Sequence, residues 1–186
     1  MRGRSEGRYR IPILLAGAEV QYFEGITAMQ DLSEMRVEQS PALMIEMPMC
    51  RWSSRMIMDI IELNHRDGYQ VILAHIHRYL QFQNLPALRQ LASAGVMMQV
   101  NGGLFSGFLK SRKALQMLDD GLIHILGSDC HNTTDRPPNL AAAYEYIERK
   151  RGIDAVQKLM NNGFRLLEEH ADVRRIRSIE LEYNFI

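Results

Sequence analysis

The sequence predicts an α/β protein in which parallel strands alternate with helices. Short apolar runs of strand length recur along the chain, and the segments between them carry apolar residues every three or four positions, as amphipathic helices do. Several of these runs are followed by a carboxylate or an imidazole. Because parallel βα proteins bind ligands beyond the carboxyl ends of their strands, these side chains indicate one site at one edge of a sheet.

The composition fits a protein with a single hydrophobic core. The chain has 186 residues, and its 22 basic and 22 acidic side chains balance, which argues against binding to nucleic acid or to an anionic membrane. No apolar stretch approaches the length of a membrane span, so no membrane insertion is expected. The polar segment 1–10 lacks the apolar core of a secretory signal. Cys50 and Cys130 are too few for a disulfide framework, which favours the cytoplasm.

The most informative segment lies near position 130. The apolar run 123–126 predicts a buried strand, and Asp129 and His131 follow it. Side chains two positions apart on a strand-like backbone point to the same side, so this pair offers a carboxylate and an imidazole to one metal ion. Taken alone, the segment equally fits a strand end where Asp129 caps the next element and His131 is solvated.

The same arrangement recurs in three further apolar runs. Each is followed by a metal-competent side chain: 11–16 by Glu19, 42–45 by Glu46, and 70–74 by His75. A mixed set of carboxylates and imidazoles suits Mn, Fe or Zn better than Ca, and two or more ions can share a bridging carboxylate. Such a cluster lowers the pKa of bound water and stabilises both oxygens of a displacement, so phosphate-ester hydrolysis is the expected chemistry.

Three more side chains are candidates for catalysis. Arg78 lies three residues after His75, and a bidentate guanidinium suits phosphoryl oxygens. Arg136 is a second candidate for the same role. The alternative for Arg78 is a surface residue at the start of a helix. His77 is open between a metal ligand, a general acid for the leaving group, and a partner that orients a ligand.

The rest of the chain is read from apolar spacing and from turn residues. A loop with irregular helix is expected over 24–40, and a further strand over 96–101 ends at Gly102-Gly103. Helices are expected over 53–64, 85–94, 111–119, 140–149, 153–160 and 164–170. The tail 171–186 reads as a solvated or edge segment with strand-like alternation over 179–183.

In order, these segments resemble the polymerase-and-histidinol-phosphatase (PHP) superfamily, and within it the manganese-dependent tyrosine phosphatases of bacterial capsule and exopolysaccharide loci. The resemblance covers about 11–170, taken as one domain. It is carried by four motifs: Gly17-Ala18-Glu19-Val20, Leu43-Met44-Ile45-Glu46-Met47-Pro48, Leu73-Ala74-His75-Ile76-His77-Arg78-Tyr79, and Gly127-Ser128-Asp129-Cys130-His131-Asn132 with Arg136-Pro137-Pro138.

The resemblance implies a distorted, TIM-like βα barrel with two or three bound ions, manganese first and iron or zinc as alternatives. It implies hydrolysis of phosphotyrosine on a bacterial tyrosine kinase that controls polysaccharide chain length and export. It places phosphate-holding roles on Arg78 and Arg136. It places metal-ligand roles on Glu19, Glu46, His75, Asp129 and His131.

Two departures from the family pattern affect these expectations. The family opens with a strand carrying a His-x-His pair, which is absent before residue 11, and a full βα barrel needs about 250 residues. We therefore expect the first βα units to be missing, the metal site to be weakened, activity to be impaired, and an exposed sheet edge to favour homo-oligomers. The second departure is Ile76-His77, where this branch has Pro-Glu.

Two alternative functions remain at this point. One is a phosphatase of small molecules such as histidinol phosphate. The other is a non-catalytic remnant that binds a kinase or a metal for regulation. Substrate profile separates the first from a tyrosine phosphatase, and completeness of the metal site separates the second from an enzyme.

Overall fold

A computed structural model describes residues 14–167 and shows a five-stranded parallel sheet. The strands lie in the order in which they occur along the chain, and all four neighbouring pairs are parallel. They are β1 (Glu19–Gln21), β2 (Ala42–Glu46), β3 (Gln70–Leu73), β4 (Met97–Asn101) and β5 (Ile125–Gly127). All five carboxyl ends therefore meet at one edge of the sheet, as the sequence predicted.

Within the described residues, the helical segments are of two kinds. Five are α-helices: α1 (Ser54–Asn64), α2 (Leu85–Ser93), α3 (Phe108–Asp119), α4 (Leu140–Arg151) and α5 (Ile153–Leu166). Four are short 3₁₀ turns: Ile26–Ala28, Gln30–Met35, Ile76–Tyr79 and Gly102–Phe105. The first two confirm the irregular helix expected over 24–40. Within residues 14–167, no helix has both the length and the apolar content of a membrane span.

The central strands are buried on both faces, as is typical of a parallel sheet covered by helices. Leu43 and Ile45 of β2 belong to the main core, which includes Ile60 of α1 and Leu88 of α2. On the other face, Ile72 of β3 lies in a smaller cluster. That cluster also contains Ala42 and the α5 residue Leu166. The continuous apolar runs of β2 and β3 follow from this double coverage.

The helix starts expected near residues 53 and 85 are confirmed for α1 and α2. Ser53 caps α1, and its side-chain oxygen accepts a hydrogen bond from the Met56 amide at 3.2 Å. Asn84 caps α2 in the same way through the Ala87 amide at 3.0 Å, and Pro86 occupies the first turn. These local signals position the two helices that cover β2 and β3.

The first strand differs from the expectation. The predicted strand 11–16 is wrong for its described part, because residues 14–18 have no strand partner and β1 begins only at Glu19. The backbone before β1 bonds the turn near 35–38 instead: the Ala18 amide donates to Met35 and the Glu38 amide donates to Ala16. Glu19 therefore opens a strand rather than following one.

Two helix boundaries also differ. The predicted helices 153–160 and 164–170 form one helix up to Leu166, because Val156, Leu159 and Leu166 continue a single buried stripe past Gly163. Helix α3 begins at Phe108, three residues before the expected start, after Gly107 with a φ of 82°. Phe108 is exposed and does not belong to the buried face of α3, so the apolar spacing did not predict the helix start at this residue. The segments 1–10 and 171–186, including the predicted strand 179–183, lie outside the described residues.

Replacing Leu43 with alanine tests the importance of the central strand. Leu43 is fully buried on β2, so we expect Leu43→Ala to lower the free energy of unfolding by about 2–5 kcal/mol through lost contacts and a residual cavity. The matched control is Leu14→Ala, because Leu14 is 85% exposed. This substitution should change the free energy of unfolding by less than about 0.5 kcal/mol. Urea unfolding measures both, and similar losses would contradict the described core.

Candidate active site

Three predicted ligands converge at the carboxyl edge of the sheet. The His75 Nε2 atom lies 2.8 Å from Glu19 Oε1 and 3.5 Å from Glu46 Oε1. One potential ligand atom from each residue lies within 4.8 Å of the other two. The imidazole is buried, whereas the two carboxylates are more than one third exposed. The cluster therefore has a buried imidazole behind two solvent-accessible carboxylates.

The backbone at two site residues is left-handed. His75 has φ 34° and ψ 51°, and Asp129 has φ 52°. Side chains disfavour this region, and non-glycine residues stay there only where the surroundings hold them. At His75 the bend ends β3 and starts the 3₁₀ turn Ile76–Tyr79. It therefore turns the imidazole towards the carboxylates directly after the strand.

Tyr79 supports the imidazole from behind. Its hydroxyl accepts a hydrogen bond from the Met47 amide at 3.1 Å and lies 3.4 Å from His75 Nδ1. Tyr79 is fully buried, and this burial raises the pKa of its hydroxyl, so the phenol stays protonated. The ring of Trp52 packs against the ring of Tyr79, with the two centroids 5.2 Å apart. The contact between the Tyr79 hydroxyl and His75 Nδ1 orients the imidazole so that its Nε2 faces the carboxylates of Glu19 and Glu46.

Asp129 lies at the centre of a second polar cluster. Its Oδ2 accepts hydrogen bonds from Arg78 Nη2 at 2.6 Å, from Asn101 Nδ2 at 2.8 Å, and from Arg136 Nη2. Burial alone would raise the pKa of Asp129, but the Asn101 hydrogen bond and the two guanidinium charges outweigh it and hold that pKa below its usual value. Asp129 is therefore ionised at neutral pH.

Arg78 connects the two clusters. Its Nη2 binds Asp129, and its Nη1 lies 3.9 Å from Glu46 Oε1. The side chain is 35% exposed, so it remains accessible to a ligand from solvent. Arg78 lies between carboxylates from β2 and from the segment after β5, and its role in phosphate binding stays a prediction.

We call Glu19, Glu46 and His75 the triad, and the other two candidate histidines, His77 and His131, lie outside it. His131 is more than half exposed, and its Nε2 accepts from Arg136 Nη1 at 3.0 Å. Its role as a metal ligand stays a prediction. His77 lines a pocket of about 360 Å³ together with Asp129 and Arg136. Burial, followed by the charge of Arg78, lowers the pKa of His77 to about 4, so its imidazole is neutral near pH 7.

Gln99 and Tyr79 were not identified from the sequence as parts of the site. Buried Gln99 on β4 accepts from the His75 amide at 2.5 Å through Oε1, and its Nε2 donates to Asn101 Oδ1 at 3.2 Å. One signal was available, since Gln99 and Asn101 are polar residues two positions apart in an otherwise apolar strand. Tyr79 gave no such signal, because a buried tyrosine in a helical turn is ordinary core.

The triad fits a divalent transition metal. Two carboxylates and one imidazole form a mixed oxygen and nitrogen donor set, and their ligand atoms already lie close together. Such sets suit Mn, Fe and Zn. The contact between Tyr79 and His75 Nδ1 is of the kind that orients metal-bound histidines.

Comparison with known proteins places these features in a family. The family model described as capsular polysaccharide synthesis, CpsB/CapC, matches residues 6–168. The chain belongs to the CpsB/CapC family. This confirms the resemblance to capsule-locus proteins that the four motifs indicated.

Individual CpsB/CapC relatives agree in sequence and in fold. The tyrosine-protein phosphatase CpsB of Streptococcus agalactiae serotype III (strain NEM316) is 26% identical over 189 residues, covering 91% of this chain and 74% of the relative. The tyrosine-protein phosphatase YwqE of Bacillus subtilis (strain 168) is 26% identical over 176 residues, covering 89% and 67%. A chain from the crystal structures of YwqE from Bacillus subtilis and CpsB from Streptococcus pneumoniae, described as unique metal-dependent tyrosine phosphatases, matches with a TM-score of 0.73 and 23% identity. That match covers 82% of this chain and 64% of the solved chain.

Removing the Tyr79 hydroxyl tests its supporting role. Tyr79→Phe leaves the buried Met47 amide without its acceptor, so the free energy of unfolding should fall by about 1–3 kcal/mol. The control is Tyr69→Phe, because the Tyr69 ring packs against the guanidinium of Arg36 and keeps that contact as phenylalanine. Chemical denaturation compares the two, and a Tyr79→Phe protein as stable as the control would contradict this role.

Proposed function

We propose that this chain is a metal-dependent phosphatase that hydrolyses phosphotyrosine on a protein partner. The observation that carries the proposal is the convergence of Glu19, Glu46 and His75 beside the Arg78–Asp129 pair. The relatives named tyrosine-protein phosphatases support the substrate class. The parallel sheet supports placing the site at the carboxyl edge of a distorted βα barrel.

In this proposal Glu19, Glu46 and His75 hold a divalent ion, manganese first, with iron and zinc as alternatives. Asp129 and His131 are the candidate ligands for one or two further ions. A bound ion would supply Lewis acidity and an activated water for attack at phosphorus. The chain itself supplies substrate binding, orientation and charge stabilisation.

Arg78 and Arg136 would bind the phosphoryl oxygens. Both guanidinium groups point at Asp129 Oδ2, and both are partly exposed, so they offer donors near one position. Asp129 accepts from three groups, which means that one arginine can turn to the phosphate while Asp129 keeps its other donors. Charge-assisted bonds of this kind strengthen as negative charge grows in the transition state.

The pocket beside Arg136 would receive the tyrosyl ring. Leu104 and Pro137 provide apolar surface there, and His77 lines the same pocket of about 360 Å³. Because His77 is neutral near pH 7, its role in this proposal is to position a hydrogen bond at the leaving oxygen rather than to act as a charged acid.

The family supports a biological setting for this activity. A model described by capsular polysaccharide synthesis supports a bacterial tyrosine kinase of that process as the phosphoprotein partner. Cys50 and Cys130 are both free and exposed, which supports a reducing cytoplasm.

Hydrolysis of an aryl phosphate tests the proposed activity. The purified chain should release phosphate from a phosphotyrosine peptide when manganese is added, and excess chelator should abolish the release. A phosphoserine peptide and histidinol phosphate serve as comparison substrates. Preference for histidinol phosphate would replace the protein substrate with a small molecule. No turnover of any of the three at saturating manganese would contradict an enzymatic role.

Substituting Arg78 tests phosphate binding. Arg78→Ala should lower kcat by about a hundredfold or more, because a donor to the developing charge is lost. Arg78→Lys should recover only part of the rate, since an ammonium cannot form the bidentate contact. Arg89→Ala on α2 is the matched control, because Arg89 is exposed and lies 3.9 Å from Asp120 away from the site. Unchanged turnover in Arg78→Ala would remove this arginine from the mechanism.

A further inference from the structure

We propose that Gln99 is a positioning residue that couples the backbone of His75 to the carboxylate of Asp129. The inference rests on the proposed metal site, since it concerns how two of its candidate ligands are held. Among the described residues, the side chain of Gln99 forms hydrogen bonds with the main-chain amide of His75 and with Asn101. It therefore acts through its neighbours and not on substrate.

The first half of the coupling is the support of a left-handed backbone. The His75 amide donates to Gln99 Oε1 at 2.5 Å, and Gln99 is only 6% exposed. A buried amide without an acceptor is costly, so this bond favours the backbone conformation that turns the imidazole towards the carboxylates. The Tyr79 hydroxyl holds the ring of His75, whereas Gln99 holds its main chain.

The second half is a directional chain of side-chain amides. Gln99 and Asn101 lie two apart on β4 and share a face. Gln99 Nε2 donates to Asn101 Oδ1 at 3.2 Å, and Asn101 Nδ2 donates to Asp129 Oδ2 at 2.8 Å. A main-chain donor lies at one end and an ionised carboxylate at the other, so both amides can satisfy their partners in one orientation only. Each amide thereby fixes the orientation of the next.

Gly127 on β5 provides the space that this arrangement needs. A Cβ atom at position 127 would overlap the side-chain nitrogen of Gln99 and lie 3.1 Å from its Cδ. Gly127 pairs in register with Asn101, next to the same chain of amides. The requirement for glycine is therefore steric, and Gly127→Ala offers a way to displace the Gln99 amide without changing Gln99.

The test measures metal binding as well as catalysis. Gln99→Met keeps side-chain length but removes the acceptor for His75 and the donor to Asn101. Co²⁺ is titrated into the full chain, and its visible absorption reports affinity and coordination geometry. Groups that orient metal ligands typically contribute about 10–100-fold to affinity, so we expect a loss of about tenfold or more and an altered spectrum. The KM for an aryl phosphate should rise as well, because Asp129 loses part of its support.

The matched control is Gln70→Met at the opposite end of the sheet. Gln70 also uses its side-chain amide, donating to Asn64 at 3.0 Å and to the Gly95 carbonyl at 2.9 Å. Its substitution removes comparable hydrogen bonds far from the carboxyl edge. We expect Gln70→Met to lower the melting temperature while leaving Co²⁺ affinity and spectrum unchanged.

Gly127→Ala supplies the second perturbation. It should reproduce the weaker binding and the altered spectrum of Gln99→Met, and the double variant should bind no more weakly than either single variant, because both changes act on one amide. Additive losses, or a wild-type Co²⁺ spectrum and affinity in Gln99→Met, would overturn the inference. A chain that binds Co²⁺ but hydrolyses no phosphate ester would refute the proposed function, and the metal titrations would still decide the role of Gln99.

Discussion

The parallel direction of all five strands is the constraint on which the site depends. The register of β2 and β3 pairs Ile45 with Leu73, and the next residues carry this pairing forward, since the Ala74 amide donates to the Ile45 carbonyl at 2.9 Å. Glu46 and His75 are thus brought together although they lie far apart in the sequence. An antiparallel neighbour would present its amino end at this edge. Burial of β2 and β3 on both faces is typical of such a parallel sheet.

Charge balance explains the arrangement of polar groups at this edge. The carboxylates of Glu19 and Glu46 lie close together at this edge, and Arg78 connects Glu46 to the carboxylate of Asp129. Arg78 lies between the last two carboxylates, and this placement reduces their mutual repulsion. Arg136 adds a second positive charge on Asp129. The site is therefore suited both to cations, through the free carboxylate oxygens, and to a phosphate, through guanidinium groups that can exchange partners.

The sequence predicted those parts of the fold that depend on local pattern. Strands β2, β3 and β4 were found because they are buried and continuous, and Glu46 and His75 were found because they follow such runs. Strand β1 was missed because Glu19–Gln21 contains a single apolar residue and is held by its partner strand. The position of His131 was not predictable for a different reason. Residues 130–138 are exposed and form no regular structure, so tertiary contacts alone decide where its ring lies.

The absence of a side chain at Gly127 has a consequence for how this family can vary. The side-chain amide of Gln99 fills the space beside Gly127 on β5. Positions 99 and 127 therefore share one volume, although they lie far apart in the sequence. A lineage that gains a methyl group at 127 must shorten or reorient the residue at 99, and then find another acceptor for the main chain at 75. These positions should therefore change together among relatives, and a substitution at one of them alone should be rare.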